Sequence, residues 1–441
     1  MAIDVLSRGS DGYEANRGVF NVLLSQDPAG IVTPAGAADV VEALEYAKAE
    51  GLRIAAQRTG HSAEPLGDLA ETLLVRTAAM SSVSIDAGRR VARVGAGALW
   101  GDLVPPASEL GLAACHGSSP TVGIVGYSLG GGVGWYGRKH GLQCNRVTAV
   151  ELVDATGTEQ RVDAACDPEF FWALRGGGGD FGIVTALEFE LLPIAEVFAG
   201  SLFFPVERAA EVLHAWHEWT AGAPEEVTSI GRLMSFPPLP EIPEPMRGNS
   251  FAIVEAVALL GEAEAAEVLA PLRDLGPATD TFALQPPAGI SGLHMDPPGP
   301  APYAGAGMLL GDLPGEAIDA LLAAVGPGSG SKLVSVELRH DGGAMSRSDP
   351  AHGAMDRLPG SFLMFGVGIV PEPDAMPPTL EWLGAMRAAM SPWDAGRYLN
   401  FSDEEEDIAV AFPPETVERL RAAKQKYDPE NLFHANHPVI T

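Results

Sequence analysis

Apolar and polar positions along the chain alternate with two different periods. "TPAGAADVVEALEYAKAEGLRIAAQ" places Val40, Val41, Leu44 and Ala47 on one helical face, stops at Gly51 and resumes as a short strand. β-rich runs follow closely, "TLLVRT", "SSVSID" and "RRVARVGAG", each bounded by turn residues. "WGDLVPPASELGL" predicts a helix with its prolines in the first turns, where a missing N–H costs nothing. "NRVTAVELVDATGTEQRV" predicts a hairpin around Ala-Thr-Gly, and "FFWALRGGGGDFGIVTALEFELLP" a helix, a glycine loop and an alternating strand ending at Pro193. Beyond Pro193 the strands lengthen ("FAGSLFF", "TSIGRLMSF", "SFAIVEAVALL", "KLVSVELRH", "SFLMFGVGIV") and alternate with amphipathic stretches near 206–221, 263–274, 314–325 and 377–390. That order predicts one antiparallel sheet with helices on one face. The proline-rich connectors 237–245 and 286–302 are too long for tight turns and are expected to form a substrate mouth. The chain closes with a helix, "PPETVERLRAAKQKYDP", and a coil, "ENLFHANHPVIT".

A length of 441 residues exceeds one ordinary core and, at roughly 150 residues per domain, predicts two. With 46% hydrophobic and 20% charged residues the composition is that of a globular protein. The formal charge of −30 repels phosphate backbones and anionic surfaces, so neither nucleic acid nor a membrane is expected as a partner. The start lacks a basic segment followed by an apolar one, and no later run approaches the ~18 apolar residues of a spanning helix, which predicts a soluble, cytoplasmic protein. Cys115, Cys144 and Cys166 are odd in number and lack C-x-x-C spacing, so no disulfide framework is expected. His214 and His217, three apart on a helix, have the spacing of metal ligands but no companions, and no metal is expected.

The informative segment is "HGSSPTVGIVGYSLGGGVGWYGRKHGL", with nine glycines from Gly117 to Gly141. Gly132, Gly134 and Gly137 match G-x-G-x-x-G, and Asp154 lies about twenty residues on, the spacing of a dinucleotide fingerprint. Against this reading, Gly137 to Gly141 leaves no room for the helix that must follow. Gly126-Tyr-Ser128-Leu-Gly130 matches the G-x-S-x-G elbow and would make the chain an α/β-hydrolase-type esterase with Ser128 as nucleophile. Against that one, Gly130, Gly131, Gly132 and Gly134 would each cost about 1 kcal/mol where the elbow needs a firm helix. In a third reading the glycines are places where main chain approaches a large flat or phosphorylated ligand, and "RTGHS" and "SSPTVG" are two amide-lined walls around a diphosphate.

In the order "TGHS", "GSSPTVGIVGYSLGGGVGWYGRKHGL", "FFWALRGGGGDFGIVT", "YLNF", "YDPENLF", the chain resembles the FAD-linked oxidases with a p-cresol methylhydroxylase-type FAD domain, in their berberine-bridge-enzyme-like branch. The resemblance implies an α+β, two-domain flavoprotein: an FAD domain over 1–193, a substrate domain over 194–395 with an antiparallel sheet covered by helices, and a segment 396–441 completing the FAD domain. It implies FAD joined through His61 to the 8α-methyl of the isoalloxazine, with Arg58, Thr59, Gly60 and Ser62 facing the pyrophosphate. Thr59 departs from the commoner double glycine. Ser119 stands where some relatives carry a second, cysteine attachment, so a single link is implied, and Cys115 reads as a small buried hydrophobe. Pro120, Thr121, Gly123, Gly126, Tyr127, Gly182, Ile183 and Val184 belong to the cofactor motifs, with Asn400 and Asn436 as polar contacts to flavin or substrate. Val122, a small side chain at the oxygen gate, implies an oxidase with O2 as acceptor and H2O2 as product. Tyr398 matches the tyrosine that faces the flavin and is expected to be the catalytic base, taking a proton from a hydroxyl-bearing small-molecule substrate while hydride passes to N5. Next in line are Glu337, Arg339 and His340, although a strand-ending Arg-His pair is expected at the surface.

Overall fold

The computed structural model describes residues 3–440. The N-terminal part holds a three-stranded parallel sheet, Gly30–Val32, Thr72–Arg76 and Arg53–Gln57 in spatial order. Beside it lies a five-stranded antiparallel sheet, ordered Val83–Asp86, Val91–Gly95, Ile183–Glu190, Val147–Val153, Glu159–Val162. The helix Ala37–Glu50 ends at Gly51, whose left-handed backbone (φ 70) lets the chain turn straight into a strand. Pro105 and Pro106 lie inside the helix Trp100–Glu109 and not in its first turn, a departure from the expectation. Ser128 sits in the short helix Ile124–Leu129, 1% exposed, with its hydroxyl donating to Ile124 O at 2.8 Å, so it has neither the exposure nor the base of a nucleophile. Asp154 closes a turn by accepting from Thr156 N and Thr158 N.

The third sheet has nine strands. Its main path runs Thr279–Asp280, Val197–Pro205, Ser250–Ala258, Val227–Ser235, Ser335–His340, Phe362–Ile369, Tyr303–Leu310, Asp394–Gly396, with antiparallel pairing. Four helices, Ala209–Thr220, Glu262–Arg273, Gly315–Val325 and Met376–Met390, pack on one face and close an apolar core around Trp216, Leu269, Ile318 and Met386. The strand Tyr303–Leu310, "YAGAGMLL", was not legible in the sequence because its small residues carry no β signal.

After that sheet the chain returns to the first part. The helix Pro414–Tyr427 packs on Pro168–Leu174, with Tyr427 stacked on Phe170 at 4.0 Å. Phe433 then bridges Ile54, extending the three-stranded sheet through Ile54 N–Leu432 O (2.9 Å) and His434 N–Ile54 O (2.8 Å). A buried Lys424 ammonium pins this return between the Asp180 and Asp428 carboxylates. No helix among the described residues is long and apolar enough to cross a membrane.

Candidate active site

The strand Arg53–Gln57 delivers the chain to Arg58–Ser62 on the wall of a cavity of about 1180 Å³. That exceeds the ~300–1,000 Å³ of ordinary single-ligand pockets. Gly60 has φ +73, and a Cβ there would lie 2.7 Å from Val19, so only glycine makes this turn. The turn sets the His61 ring 3.7 Å from Phe20, stacked, with Nε2 3.1 Å from Thr121 Oγ1, itself 2.9 Å from Ser119 Oγ. Burial pushes His61 down to about 4, so at neutral pH the imidazole is uncharged and keeps a free electron pair. Asn436 Nδ2 donates to Ser62 Oγ (2.9 Å), and Arg58 Nε to Gly97 O (2.6 Å). Among the described residues no acceptor meets the main-chain N–H groups of Thr59, Gly60, His61 and Ser62, nor those of Gly117, Ser118 and Ser119 across the cavity. Buried donors are ordinarily paired, so two such runs facing one cavity form an anion cradle. At Gly126, Gly178 and Gly179 a Cβ would meet no protein atom within 4 Å, and here the main chain itself is the cavity surface.

The helix-free face of the nine-stranded sheet roofs the cavity. Strand alternation turns Arg232, Glu337 and Arg339 inward, with Arg232 opposite Glu337 in register. They join Glu255 and His294 in a buried network. His294 is held at both ring nitrogens, Nδ1 at 2.5 Å from Glu255 Oε2 and Nε2 at 2.7 Å from Glu337 Oε2. Burial opposes its charge, but the two carboxylates outweigh it and hold His294 up at about 9. Arg339 Nε donates to Glu337 Oε1 (2.7 Å), and its guanidinium lies 4.9 Å over the Phe401 ring. Arg339 and His340 are therefore buried and not at the surface. His340 lies off the cavity, stacked on Phe362 and 2.7 Å from an Arg138 nitrogen. Met295, with φ 57, is a bulky residue in the left-handed region, a strained joint between His294 and the cavity-lining Asp296.

Tyr398 departs most from its expected place. It is 2% exposed, does not line the cavity, and its hydroxyl accepts from Gly132 N (2.8 Å), Val133 N (3.1 Å) and Asn400 Nδ2 (3.0 Å). Burial pushes its pKa up in spite of those donors. Its oxygen accepts from three donors and does not reach the cavity wall, so in this structure it anchors the glycine segment. The aromatic of "YLNF" that does line the cavity is Phe401, which has no proton to exchange.

Residues 28–163 match the family described as "FAD binding domain", and residues 397–440 the family described as "Berberine and berberine like". The chain is 28% identical to (R)-6-hydroxynicotine oxidase of Paenarthrobacter nicotinovorans, over 99% of this chain and 96% of that one. It is 26% identical to xylooligosaccharide oxidase of Thermothelomyces thermophilus, over 98% and 91%. Its fold superposes on the solved Physcomitrella patens BBE-like 1 with a TM-score of 0.85, at 21% identity over 99% and 96% of the two chains. The chain is an FAD-linked oxidoreductase, with an FAD-binding domain and a berberine-like C-terminal segment.

The cofactor of this oxidoreductase is FAD, and the residues present suit it: an unpaired run of amides on each side, bare main chain for a flat ring system, and a neutral imidazole at the edge. Nothing in the comparisons supports a hydrolase. Of the residues singled out in the sequence, Arg58, Thr59, Gly60, His61, Ser62, Ser119, Val122, Gly123, Gly126, Tyr127, Gly182, Val184, Asn400 and Asn436 line the cavity. Thr121 stands behind the wall, in contact with His61 and Ser119, Pro120 accepts from Gly101 N with its carbonyl, and Ile183 is a buried strand residue paired with Val153. Among the described residues no group of His, Cys, Asp or Glu is arranged to hold a metal, and His214 is instead 2.8 Å from Asp319. Phe20, His294, Tyr303 and Asp403 also line the cavity, and no motif marked them.

Proposed function

We propose that the chain is an oxidase that removes two electrons and two protons from a hydroxyl-bearing, ring-containing small molecule and delivers them to O2, giving H2O2. The observation that carries it is His61: a neutral imidazole on the cavity wall, stacked on Phe20 and tied at Nε2 to Thr121. Bound FAD supplies the two-electron acceptor, a chemistry the side chains lack. With Nε2 engaged, His61 Nδ1 is the nitrogen left for a single covalent bond to it. Ser119, an oxygen in place of a thiol, offers no second one. The amides of Thr59–Ser62 and Gly117–Ser119 face the diphosphate, and Asn436 steadies Ser62 between them. In this reading residues 1–193 and 396–441 form the FAD domain, and 194–395 the roof.

The relatives differ in what their names say they oxidise, a nicotine derivative or xylooligosaccharides. Here the connectors 237–245 and 286–302 both reach the cavity, and with the roof they contribute Met234, Phe236, Leu239, Ile242, Met246 and Met295. So apolar a mouth excludes water from a ring better than it recognises a chain of sugars. The small Val122 leaves O2 a path to the cavity, and the oxidases among the relatives support the same acceptor. The test is direct: the purified protein is yellow, its acid-precipitated pellet keeps the colour, and its intact mass exceeds the sequence mass by one FAD. A colourless protein overturns the reading, and colour released wholly into the acid supernatant overturns the covalent bond.

A further inference from the structure

If Tyr398 is an anchor, the proton lost by the substrate needs another acceptor. Most titratable groups on the cavity wall are already committed. Tyr127 has its hydroxyl 2.7 Å from Val133 O and 3.1 Å from Cys115 O, and burial pushes it far up. Glu337 has both oxygens bound, and despite burial Arg339 and His294 hold it below the carboxylate range. His294 has both nitrogens on carboxylates. His434 Nδ1 is 2.9 Å from Thr72 Oγ1, and His437 Nε2 3.2 Å from Leu399 O.

Of these, His437 also keeps a buried atom without a partner, Nδ1, but burial pushes its imidazole down to about 4, a weak base at neutral pH; Asp403 is a carboxyl raised instead of lowered. It lines the cavity two residues after Phe401, and its Oδ2 is closed off from solvent without a hydrogen-bond partner. That oxygen lies against Gly305, where a Cβ would come within 2.9 Å of it, and the same Cβ would come within 2.8 Å of the Phe365 ring. Phe365 stands edge-on to Phe401 at 4.9 Å, so the carboxyl lies beside an aromatic pair. The groups that face it are Glu64, Glu404, Tyr303 and the Gly305 N–H, with no cation among them. A carboxylate left this bare in an enclosed site is a strong proton acceptor.

We propose that Asp403 is the catalytic base of the oxidation: the carboxyl, through the oxygen that is not closed off against Gly305, takes the hydroxyl proton of the substrate, the carbinol C–H leaves with two electrons to the flavin, and the C–O bond becomes C=O. The two electrons and the proton then leave together with a second proton as H2O2, restoring the carboxylate. Burial first, and then Glu64, raises this carboxyl to about 7, near the working pH, where a base is most effective. The inference rests on the flavin oxidase reading, so the tests separate the two.

The first test is infrared titration of the holoenzyme with 13C-labelled aspartate from pH 5 to 9. Asp341, buried off the cavity with an unpartnered oxygen and also raised to about 7, adds a second band. The Asp341→Asn protein is therefore titrated alongside. A protonated-carboxyl band that persists in that variant, fades with a midpoint near 7 and is missing from Asp403→Asn is the expected result. A single band that belongs to Asp341 overturns the proposal. The second test is anaerobic bleaching of the flavin by 1-indanol, a ring-bearing secondary alcohol. Asp403→Asn should keep its flavin, reduce ~10²–10⁴-fold more slowly, and lose the inflection near pH 7 that the parent shows. Bleaching within threefold of the parent overturns the proposal. If 1-indanol leaves the parent flavin oxidised, the ring-alcohol reading fails, and the infrared titration alone decides on Asp403.

Discussion

Replacing Lys424 by Met tests what holds the C-terminal return in place. The ammonium is 1% exposed and donates to Asp180 Oδ1 (2.8 Å), Asp180 O (2.8 Å) and Asp428 Oδ2 (2.7 Å), with both carboxylates fully buried. Met keeps the stem and the helix propensity but leaves two negative charges without a cation. Breaking a buried pair from one side costs about 3–5 kcal/mol. Here the carboxylates retain main-chain donors, Val439 N on Asp180 (2.8 Å) and Leu432 N and Phe433 N on Asp428 (2.9 and 3.0 Å). The cost should therefore lie near the lower end, about 3 kcal/mol. At ~2–4 °C per kcal/mol for a unit of about 200 residues, the melting temperature followed by flavin fluorescence should fall by roughly 6–12 °C. The sign of the pH dependence is fixed too. Burial already raises the folded pKa of Asp180, with Lys424 opposing it, and removing Lys424 raises it further. A raised folded carboxyl destabilises only once the unfolded chain ionises, so the deficit of the variant should shrink as pH falls toward the ordinary value near 3.9. A shift under ~2 °C at pH 7, or a deficit that grows on acidification, would refute this account of the clamp.

Tyr398→Phe strands two buried N–H groups, Gly132 and Val133, and should lower stability by ~1–3 kcal/mol and weaken flavin retention, measured by melting and by flavin-to-protein ratio. An unaltered melting temperature with slow flavin reduction would return Tyr398 to the chemistry. Gly130→Ala puts a Cβ 2.0 Å from Asn400 Oδ1, so overpacking of ~1–3 kcal/mol and reduced flavin content are expected. Val122→Leu should slow air reoxidation of dithionite-reduced flavin, and an unchanged rate would separate Val122 from oxygen access. His294, raised from 6.5 to about 9 against burial by Glu255 and Glu337, contributes stability that is complete below pH 6.5 and lost as pH rises through 9. His294→Gln should flatten that decline in thermal melts.

The strands and helices whose residues alternate strongly were legible in the sequence, because the roof sheet turns apolar residues to the helices and polar ones such as Arg232, Glu337 and Arg339 to the cavity, so the period-2 signal survives although both faces are buried. "YAGAGMLL" was not, since Gly305 and Gly307 are small for a tertiary reason: Phe365, Phe401 and Asp403 occupy the space their side chains would fill. The cofactor wall was legible for the converse reason. "RTGHS" and "SSPTVG" are local turns whose glycine, histidine and hydroxyl residues do their work within a few positions of one another. On the catalytic side the structure departs from the expected placement at the scale of one side chain. In "YLNF" the sequence offers a tyrosine and a phenylalanine three residues apart, and chemistry favours the tyrosine because only it carries a hydroxyl. Which ring faces the cavity is decided by the short 3₁₀ turn Leu399–Phe401, which sends Tyr398 under the glycine segment and Phe401 into the open. With an apolar ring in the open place, a base for this pocket has to come from a side chain whose partners are missing. That property is invisible in a sequence, since it is defined by what does not surround Asp403 in space. The same logic separates Asp403 from Glu337: both are roof-side carboxylates, but Glu337 is saturated by Arg339 and His294, residues 45 positions apart that only the folded sheet and its connector bring together.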